Sequence, residues 1–252
     1  MIRNKELTVC SGFCRLCQTD HILPSASAMK QAHHVIAALE TYQSIGFSEE
    51  DRNDPNVSTN FLFGEQRGKM FGLLECQTSD GQPVWLFAYS GQYNGRWQIP
   101  AWVEPLFNVQ TFQQINDPVE AQIKELGRQI SAAESRSQST KQLRDQRTLL
   151  SQQLMQKLHA LYELNNLRGI SASLSEVLGS EANKPTGIGD CCAPKLLNHA
   201  ARNDLIPLSL AEFYFGRENR SLSRHHAHFY PPCTDKCKPL LGFLLCGAAS
   251  DR

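Results

Sequence analysis

The chain has 252 residues, and its 25 Lys and Arg residues match its 25 Asp and Glu residues in number, so that the formal net charge is zero. This excludes a uniformly basic nucleic-acid-binding protein but leaves room for a local basic patch. No apolar stretch approaches the roughly 18–20 residues of a membrane span, and the first residues lack the apolar core of a signal peptide. We therefore expect a cytoplasmic protein that does not enter a membrane.

The first two segments, residues 1–58 and 59–115, have different patterns. In the first, a cysteine cluster precedes apolar residues at helical spacing over 25–42, which predicts a helix. In the second, two apolar runs flank Asp80-Gly81, a dipeptide typical of tight turns, which predicts a β-hairpin. The Gly-, Pro- and aromatic-rich tract that follows is predicted to be an ordered loop.

The third segment, residues 116–168, is predicted to be helical. Asn116 or Asp117 supplies a cap, and Pro118 suits the first turn of a helix. Apolar residues then recur at spacings of three and four, the heptad pattern of coiled coils, on both sides of a polar break at 134–140. The pattern predicts an inserted antiparallel helical hairpin, with one long helix as the alternative.

The last segment, residues 169–252, is rich in cysteine. Cys233 and Cys237 are four residues apart and so share a helix face, while Cys191 and Cys192 open a predicted helix after a Gly-rich turn. Helix N-termini favour thiolates, and tetrahedral Zn²⁺ takes three or four such ligands. The sequence therefore predicts a zinc site, with buried thiols as the alternative. A fourth ligand would come from one of four histidines: His199, His225, His226 and His228.

A second cysteine cluster lies near the start of the chain. Its members are Cys10, Cys14 and Cys17, with His21, His33 and His34 as candidate fourth ligands. Three thiols with no assured fourth ligand make this a weaker indication of a metal site.

The order of these elements resembles the cytidine-deaminase-like fold. In that fold a hairpin is followed by a helix that opens with a metal ligand and a catalytic Glu, then by a strand and a second cysteine-bearing helix. Here Ala193 stands where the Glu is expected, and Glu212 on the next predicted strand is the substitute candidate. The resemblance implies an α+β fold with a small antiparallel sheet and zinc-tied helices. A zinc-dependent deaminase-like enzyme, or a degenerate homologue of one, is an alternative function.

A second resemblance covers most of the chain. The motifs GDCCAPKLL (189–197), LAEF (210–213) and HAHFYPPCTDKC (226–237) resemble the N-terminal extension of bacterial RluA-type pseudouridine synthases. The resemblance implies a non-catalytic RNA-recognition or accessory module in uridine-to-pseudouridine modification. The Arg-Leu-Asp motif of that family does not occur in the chain, so we expect its catalytic domain to be encoded separately or lost. The resulting ligand set is Cys191, Cys233, Cys237 and His226.

A basic segment, residues 217–238, is the candidate RNA-binding region. Cations for phosphate contacts and aromatic rings for base stacking are interleaved there: Arg217, Arg220, Arg224, Phe229, Tyr230, Lys236 and Lys238. The alternative is a solvated loop over the metal site. A further alternative function is a protein-interaction module that acts through the helical arm at 116–168.

Overall fold

The computed structural model describes residues 9–179 and 185–248, which form an α+β structure. Its strands are β1 (Cys10–Cys14), β2 (Thr19–Leu23), β3 (Lys69–Gln77), β4 (Pro83–Tyr89), β5 (Glu163–Asn165), β6 (Ser171–Ser173), β7 (Ile206–Phe215) and β8 (His228–Phe229). Its helices are α1 (Ala26–Tyr42), α2 (Glu49–Arg52), α3 (Val109–Ser135), α4 (Lys141–His159), α5 (Leu174–Leu178), α6 (Cys192–Arg202) and α7 (Lys238–Leu244), with 3₁₀ turns at Pro55–Val57 and Asn60–Phe63.

The central sheet has four antiparallel strands in the order β4-β3-β7-β8. The predicted hairpin is confirmed as β3 and β4, whose connection contains Gly81 at φ +84°, the left-handed region that glycine adopts without strain. β7 then pairs with the other edge of β3, so that Gly72 lies opposite Glu212. Two smaller sheets, β1-β2 and β5-β6, have two strands each.

Helices cover both faces of the central sheet, because successive side chains of a strand point to opposite sides. Phe71 and Leu73 belong to the apolar cluster that includes Ile36 of α1, the helix predicted over 25–42 and confirmed here. Leu74 and Cys76 of the same strand belong to the cluster that includes α6 and α7. The cysteines Cys191, Cys233 and Cys237 belong to or pack against this second cluster, so they lie on the α6 side of the sheet.

The helical segment begins earlier than its sequence predicts. α3 starts at Val109, where the Asn108 side chain accepts a hydrogen bond from the Thr111 N–H at 2.9 Å, and Pro118 lies inside the helix. Pro118 is exposed, so water can satisfy the carbonyl that the proline ring leaves without a donor. α4 ends at His159, and the short strand β5 lies within the range that the sequence predicts to be helical up to residue 168.

α3 and α4 are joined by residues 136–140 and pack against each other. Arg144 pairs with Glu134 beside the connection, and the guanidinium of Arg147 lies near Gly127 farther along. Within the described parts of the chain, no helix is both long enough and apolar enough to cross a membrane.

Candidate metal centres

Cys191, Cys233 and Cys237 come together on the α6 side of the sheet. The Cys191 and Cys233 sulfurs are 3.9 Å apart, the Cys233 and Cys237 sulfurs are 3.3 Å apart, and all three lie within 4.8 Å of one another. Thiolates bound to a tetrahedral ion at about 2.3 Å would be separated by about 3.8 Å. The three cysteines could therefore hold a metal ion.

Two helix starts position these thiols. Cys191 is the N-cap of α6 and follows a turn in which Gly189 has φ +85°; a Cβ there would lie 2.9 Å from the Leu106 side chain, so glycine suits the position. Cys237 is the N-cap of α7, and the Cys233 carbonyl accepts a hydrogen bond from the Lys238 N–H at 3.0 Å. The backbone thus orients all three sulfurs toward one point.

The thiols are electrostatically coupled. The pKa of Cys233 is held far below its ordinary value by hydrogen bonds with Cys191 and Cys237. The pKa of Cys191 is raised, first by its bond with Cys233, and that of Cys237 is raised, first by its bond with Cys191. Only one thiolate forms readily without a cation, so binding of a divalent ion would release protons from the other two.

Glu212 of β7 is buried beside this group. Its Oε1 accepts a hydrogen bond from the Ala193 N–H at 2.8 Å, and the residue is 4 % exposed. Burial raises the pKa of Glu212 to about 7, and the hydrogen bond from Ala193 opposes that rise. The carboxylate charge contributes to the raised pKa of Cys191. An acid that titrates near neutrality thus lies behind the first turn of α6.

Two further ionisable groups lie at the start of α6. The buried Lys195 donates from Nζ to the Tyr89 carbonyl oxygen at 2.8 Å, and burial lowers its pKa to about 8. Asp190 accepts a hydrogen bond from the Tyr162 hydroxyl at 2.7 Å, while burial raises its pKa. The Asp190 contact holds the turn that leads into Cys191, and the Lys195 contact joins α6 to the end of β4.

The structure does not bring His226 to the three cysteines. Its Nδ1 accepts a hydrogen bond from the Gly216 N–H at 3.1 Å, and its Nε2 lies 3.1 Å from Glu40 Oε1. The ring thus faces Glu40 of α1, and the adjacent Ala227 N–H donates to the Tyr214 carbonyl oxygen of β7 at 2.8 Å. Among the residues that the structure describes, no histidine joins this group. Cys192 is also outside it, with its thiol donating to the Met70 carbonyl at 3.4 Å.

The predicted RNA-binding residues of the basic segment differ in their exposure to solvent. Arg217, Arg220 and Lys238 are exposed, and the Arg224 guanidinium stacks 4.2 Å from the centre of the Tyr230 ring. Lys236 is half-buried, and its charge opposes the raised pKa of Asp190. Phe229 is not free to stack on a base, because it pairs with Phe213 across β7 and β8 and packs into the core.

The N-terminal group keeps two of its predicted cysteines and the candidate ligand His21, and it gains a cysteine that the sequence did not predict. Cys14, Cys17, His21 and Cys246 form a second group that could hold a metal ion. Cys10 is buried elsewhere in the core, and His33 packs on Phe229. Sequence reasoning missed Cys246 because 229 positions separate it from Cys17.

Comparisons of the chain with models of known protein families, with curated proteins and with solved structures find no match. The function of the chain is therefore inferred from its own residues and their geometry.

Proposed function

We propose that the chain is a zinc-bound RNA-recognition module that serves an RluA-type pseudouridine synthase. The observation that carries the proposal is that the three motifs resembling that family meet at one place. Residues 189–197 supply Cys191, residues 210–213 supply Glu212, and residues 226–237 supply Cys233. The Tyr230 N–H also bonds to the Glu212 carbonyl oxygen at 3.0 Å, which joins the second motif to the third.

Zinc is the metal that the donor set favours. Soft thiolate ligands in tetrahedral geometry select zinc or iron–sulfur clusters, and single zinc ions accept three protein ligands plus one further group. Cys191, Cys233 and Cys237 provide three such ligands. In this proposal the ion ties the start of α6 to the end of the basic segment.

The basic segment would provide the phosphate contacts. Arg220, Arg224 and Lys238 form no ion pair with a carboxylate in the described ranges 9–179 and 185–248. Arg220 and Lys238 are exposed, and the Arg224 guanidinium is held on the Tyr230 ring. Cations without a carboxylate partner are the groups that neutralise RNA phosphates and release counterions. Because two zinc ligands lie between Arg224 and Lys238, zinc would hold these cations in a fixed arrangement.

The test is RNA binding by a variant that lacks these cations. In a fluorescence-anisotropy titration with a labelled uridine-containing hairpin RNA, Arg220→Ala, Arg224→Ala and Lys238→Ala together should weaken binding and flatten its salt dependence. Loss of three phosphate contacts should reduce the slope of log K against log salt by about 2–3.

The matched control removes the same charge from the helical pair through Lys124→Ala, Lys141→Ala and Lys157→Ala, three exposed positions of α3 and α4. The control should bind RNA as the wild type does. Equal affinity of the two triple variants would contradict the proposal.

A zinc-dependent deaminase-like enzyme is the second candidate, and the environment of Glu212 favours it. A buried carboxyl with a pKa of about 7 is suited to general acid–base catalysis at neutral pH. Its oxygen is held at the first turn of α6, next to the zinc-ligand candidate Cys191.

The corresponding test measures ammonia release from cytidine and from cytidine in RNA by zinc-loaded protein. Glu212→Gln retains an oxygen that can accept the Ala193 hydrogen bond, so it should abolish turnover while keeping the zinc. Absence of turnover by the wild-type protein, or full activity of Glu212→Gln, would exclude this role for Glu212.

A further inference from the structure

We infer that Cys14, Cys17, His21 and Cys246 form a second, structural zinc site that fastens the N-terminal β-hairpin to the end of α7. The donor atoms of all four residues lie within 4.8 Å of one another. The Cys17 sulfur is 3.1 Å from His21 Nε2 and 3.8 Å from the Cys246 sulfur. This inference is independent of the function proposed for Cys191 and its partners.

The donor set fits zinc in both number and geometry. Three thiolates and one imidazole complete a tetrahedral shell, and sites with four protein ligands are structural, whereas catalytic sites keep a position open. Zinc–sulfur bonds of about 2.3 Å separate two thiolates by about 3.8 Å, which is the spacing found between Cys17 and Cys246. The two metal centres therefore differ in kind, since the Cys191 group supplies three ligands and this group supplies four.

The β1-β2 hairpin arranges three of the ligands locally. Cys14 ends β1 opposite Thr19, and the intervening turn closes with a hydrogen bond from the Gln18 N–H to the Cys14 carbonyl at 2.8 Å. Gln18 has φ +57°, which turns the chain sharply after Cys17. His21 then returns along β2 opposite Gly12. The Cys-x-x-Cys-x-x-x-His spacing thus becomes one cluster at the end of a hairpin.

Close backbone packing brings the fourth ligand to this cluster. Gly12 of β1 and Gly242 of α7 face each other, and a Cβ on Gly242 would collide with the Phe13 carbonyl oxygen. Only glycine at both positions lets the hairpin lie directly on the helix. The turn after α7, in which the Cys246 N–H bonds to the Phe243 carbonyl at 3.1 Å, then places the Cys246 sulfur beside Cys17.

Burial supplies the energetic reason for an ion. Cys14 and Cys246 are fully buried, and His21 is 1 % exposed. A divalent cation would neutralise the three thiolates, whose charge is costly to bury without a counterion. The ion would also close a loop of 229 positions between Cys17 and Cys246, which restricts the unfolded chain.

The test is the zinc content of the full-length protein, measured by inductively coupled plasma mass spectrometry for the wild type, three single variants and one double variant. Cys246→Ser should lose one zinc ion per chain relative to the wild type. Cys10→Ser is the matched control, because Cys10 is also buried in this hairpin but lies outside the group, and it should lose none. Cys237→Ser tests for zinc at the Cys191, Cys233 and Cys237 group. The double variant Cys237→Ser, Cys246→Ser should lose both ions.

The zinc contents of these variants distinguish failure of this inference from failure of the proposed function. Retention of the wild-type zinc content by Cys246→Ser would overturn the second site, whatever Cys237→Ser does. Loss from Cys246→Ser with none from Cys237→Ser would support the second site and count against the zinc of the proposed function.

Alkylation of the wild-type protein keeps the inference testable if Cys246→Ser fails to fold. Cys17 is only partly buried, so iodoacetamide followed by peptide mapping can report its state. Zinc-loaded protein should protect Cys17, and a chelator should expose it. Equal labelling of Cys17 in the two conditions would overturn the inference.

Discussion

The sulfur of Cys191 lies 3.9 Å from the sulfur of Cys233, although 42 positions separate the two residues in the chain. This sulfur–sulfur contact joins the start of α6 to the segment that precedes α7. Glu212 of β7 accepts a hydrogen bond from Ala193 at the same helix start. Two helix starts and the central sheet therefore converge on one group of thiols. Changes that displace α6 should affect both folding and metal binding.

Gly72 of β3 lies directly against the start of α6. A Cβ there would lie 2.6 Å from the Cβ of Cys192, so Gly72→Ala should push α6 outward and displace Cys191. We expect a loss of about 1–3 kcal/mol in the free energy of unfolding, as for other overpacked sites, and weaker zinc binding. Urea denaturation and a competitive zinc titration measure the two effects.

Gly127→Ala in α3 is the control for that experiment. The added Cβ would meet only the Arg147 guanidinium at 3.8 Å, and replacing glycine in a helix interior by alanine should increase stability by about 0.5–1 kcal/mol. A Gly72→Ala protein that gains stability as Gly127→Ala does would contradict the close packing of α6.

Asn108 caps α3, so its replacement should destabilise that helix. Its side chain accepts the Thr111 N–H bond, and loss of such a cap costs about 0.5–2 kcal/mol. Asn116→Ala is a matched control at the helix start that the sequence predicts, and it should change stability by less than about 0.5 kcal/mol. Thermal unfolding followed by circular dichroism distinguishes the two positions, and a larger loss from Asn116→Ala would show that the helix begins at Pro118.

Lys195 should make stability depend on pH in the alkaline range. Burial lowers its pKa from 10.5 to about 8 in the folded protein, so between these values the unfolded chain binds more protons. The free energy of unfolding then rises with pH across this window, by on the order of 1 kcal/mol per pH unit.

Lys195→Met removes this contribution while retaining most of the side-chain volume. Urea denaturation of both proteins from pH 8 to pH 10 should show the wild type gaining stability relative to the variant. A stability difference that stays constant over this range would mean that Lys195 keeps its ordinary pKa when folded.

The elements that the sequence predicts well are those with strong local signals. Helical spacing predicts α1, and the Asp80-Gly81 turn between apolar runs predicts β3 and β4. The strands β1, β2, β5 and β6 are short and lack alternating apolar residues, so their pairing depends on contacts formed only in the folded chain. The start of α3 was misplaced because Pro118 resembles a first-turn proline although Asn108 supplies the cap.

The residues of the candidate metal sites also differ in how far the sequence predicts them. Cys233 and Cys237 are recognisable from their spacing, and the helix start at Cys191 is predictable from the preceding glycines. His226 and Cys246 could not be placed, because the direction of a side chain between β7 and β8 and the packing of the N-terminal hairpin against the end of α7 are set by tertiary contacts. The glycine pair Gly12 and Gly242 is informative only once the hairpin is seen on α7.

The most direct test of the account is the affinity of zinc-supplied Cys233→Ser for the hairpin RNA, measured beside Cys76→Ser at one salt concentration. Cys76 is a fully buried cysteine outside both metal groups, so its variant controls for the loss of a buried thiol. We predict that Cys233→Ser binds RNA more weakly than Cys76→Ser by on the order of tenfold, because the cations lose their fixed arrangement. Equal RNA affinity of the two variants would contradict a zinc-ordered RNA-binding segment.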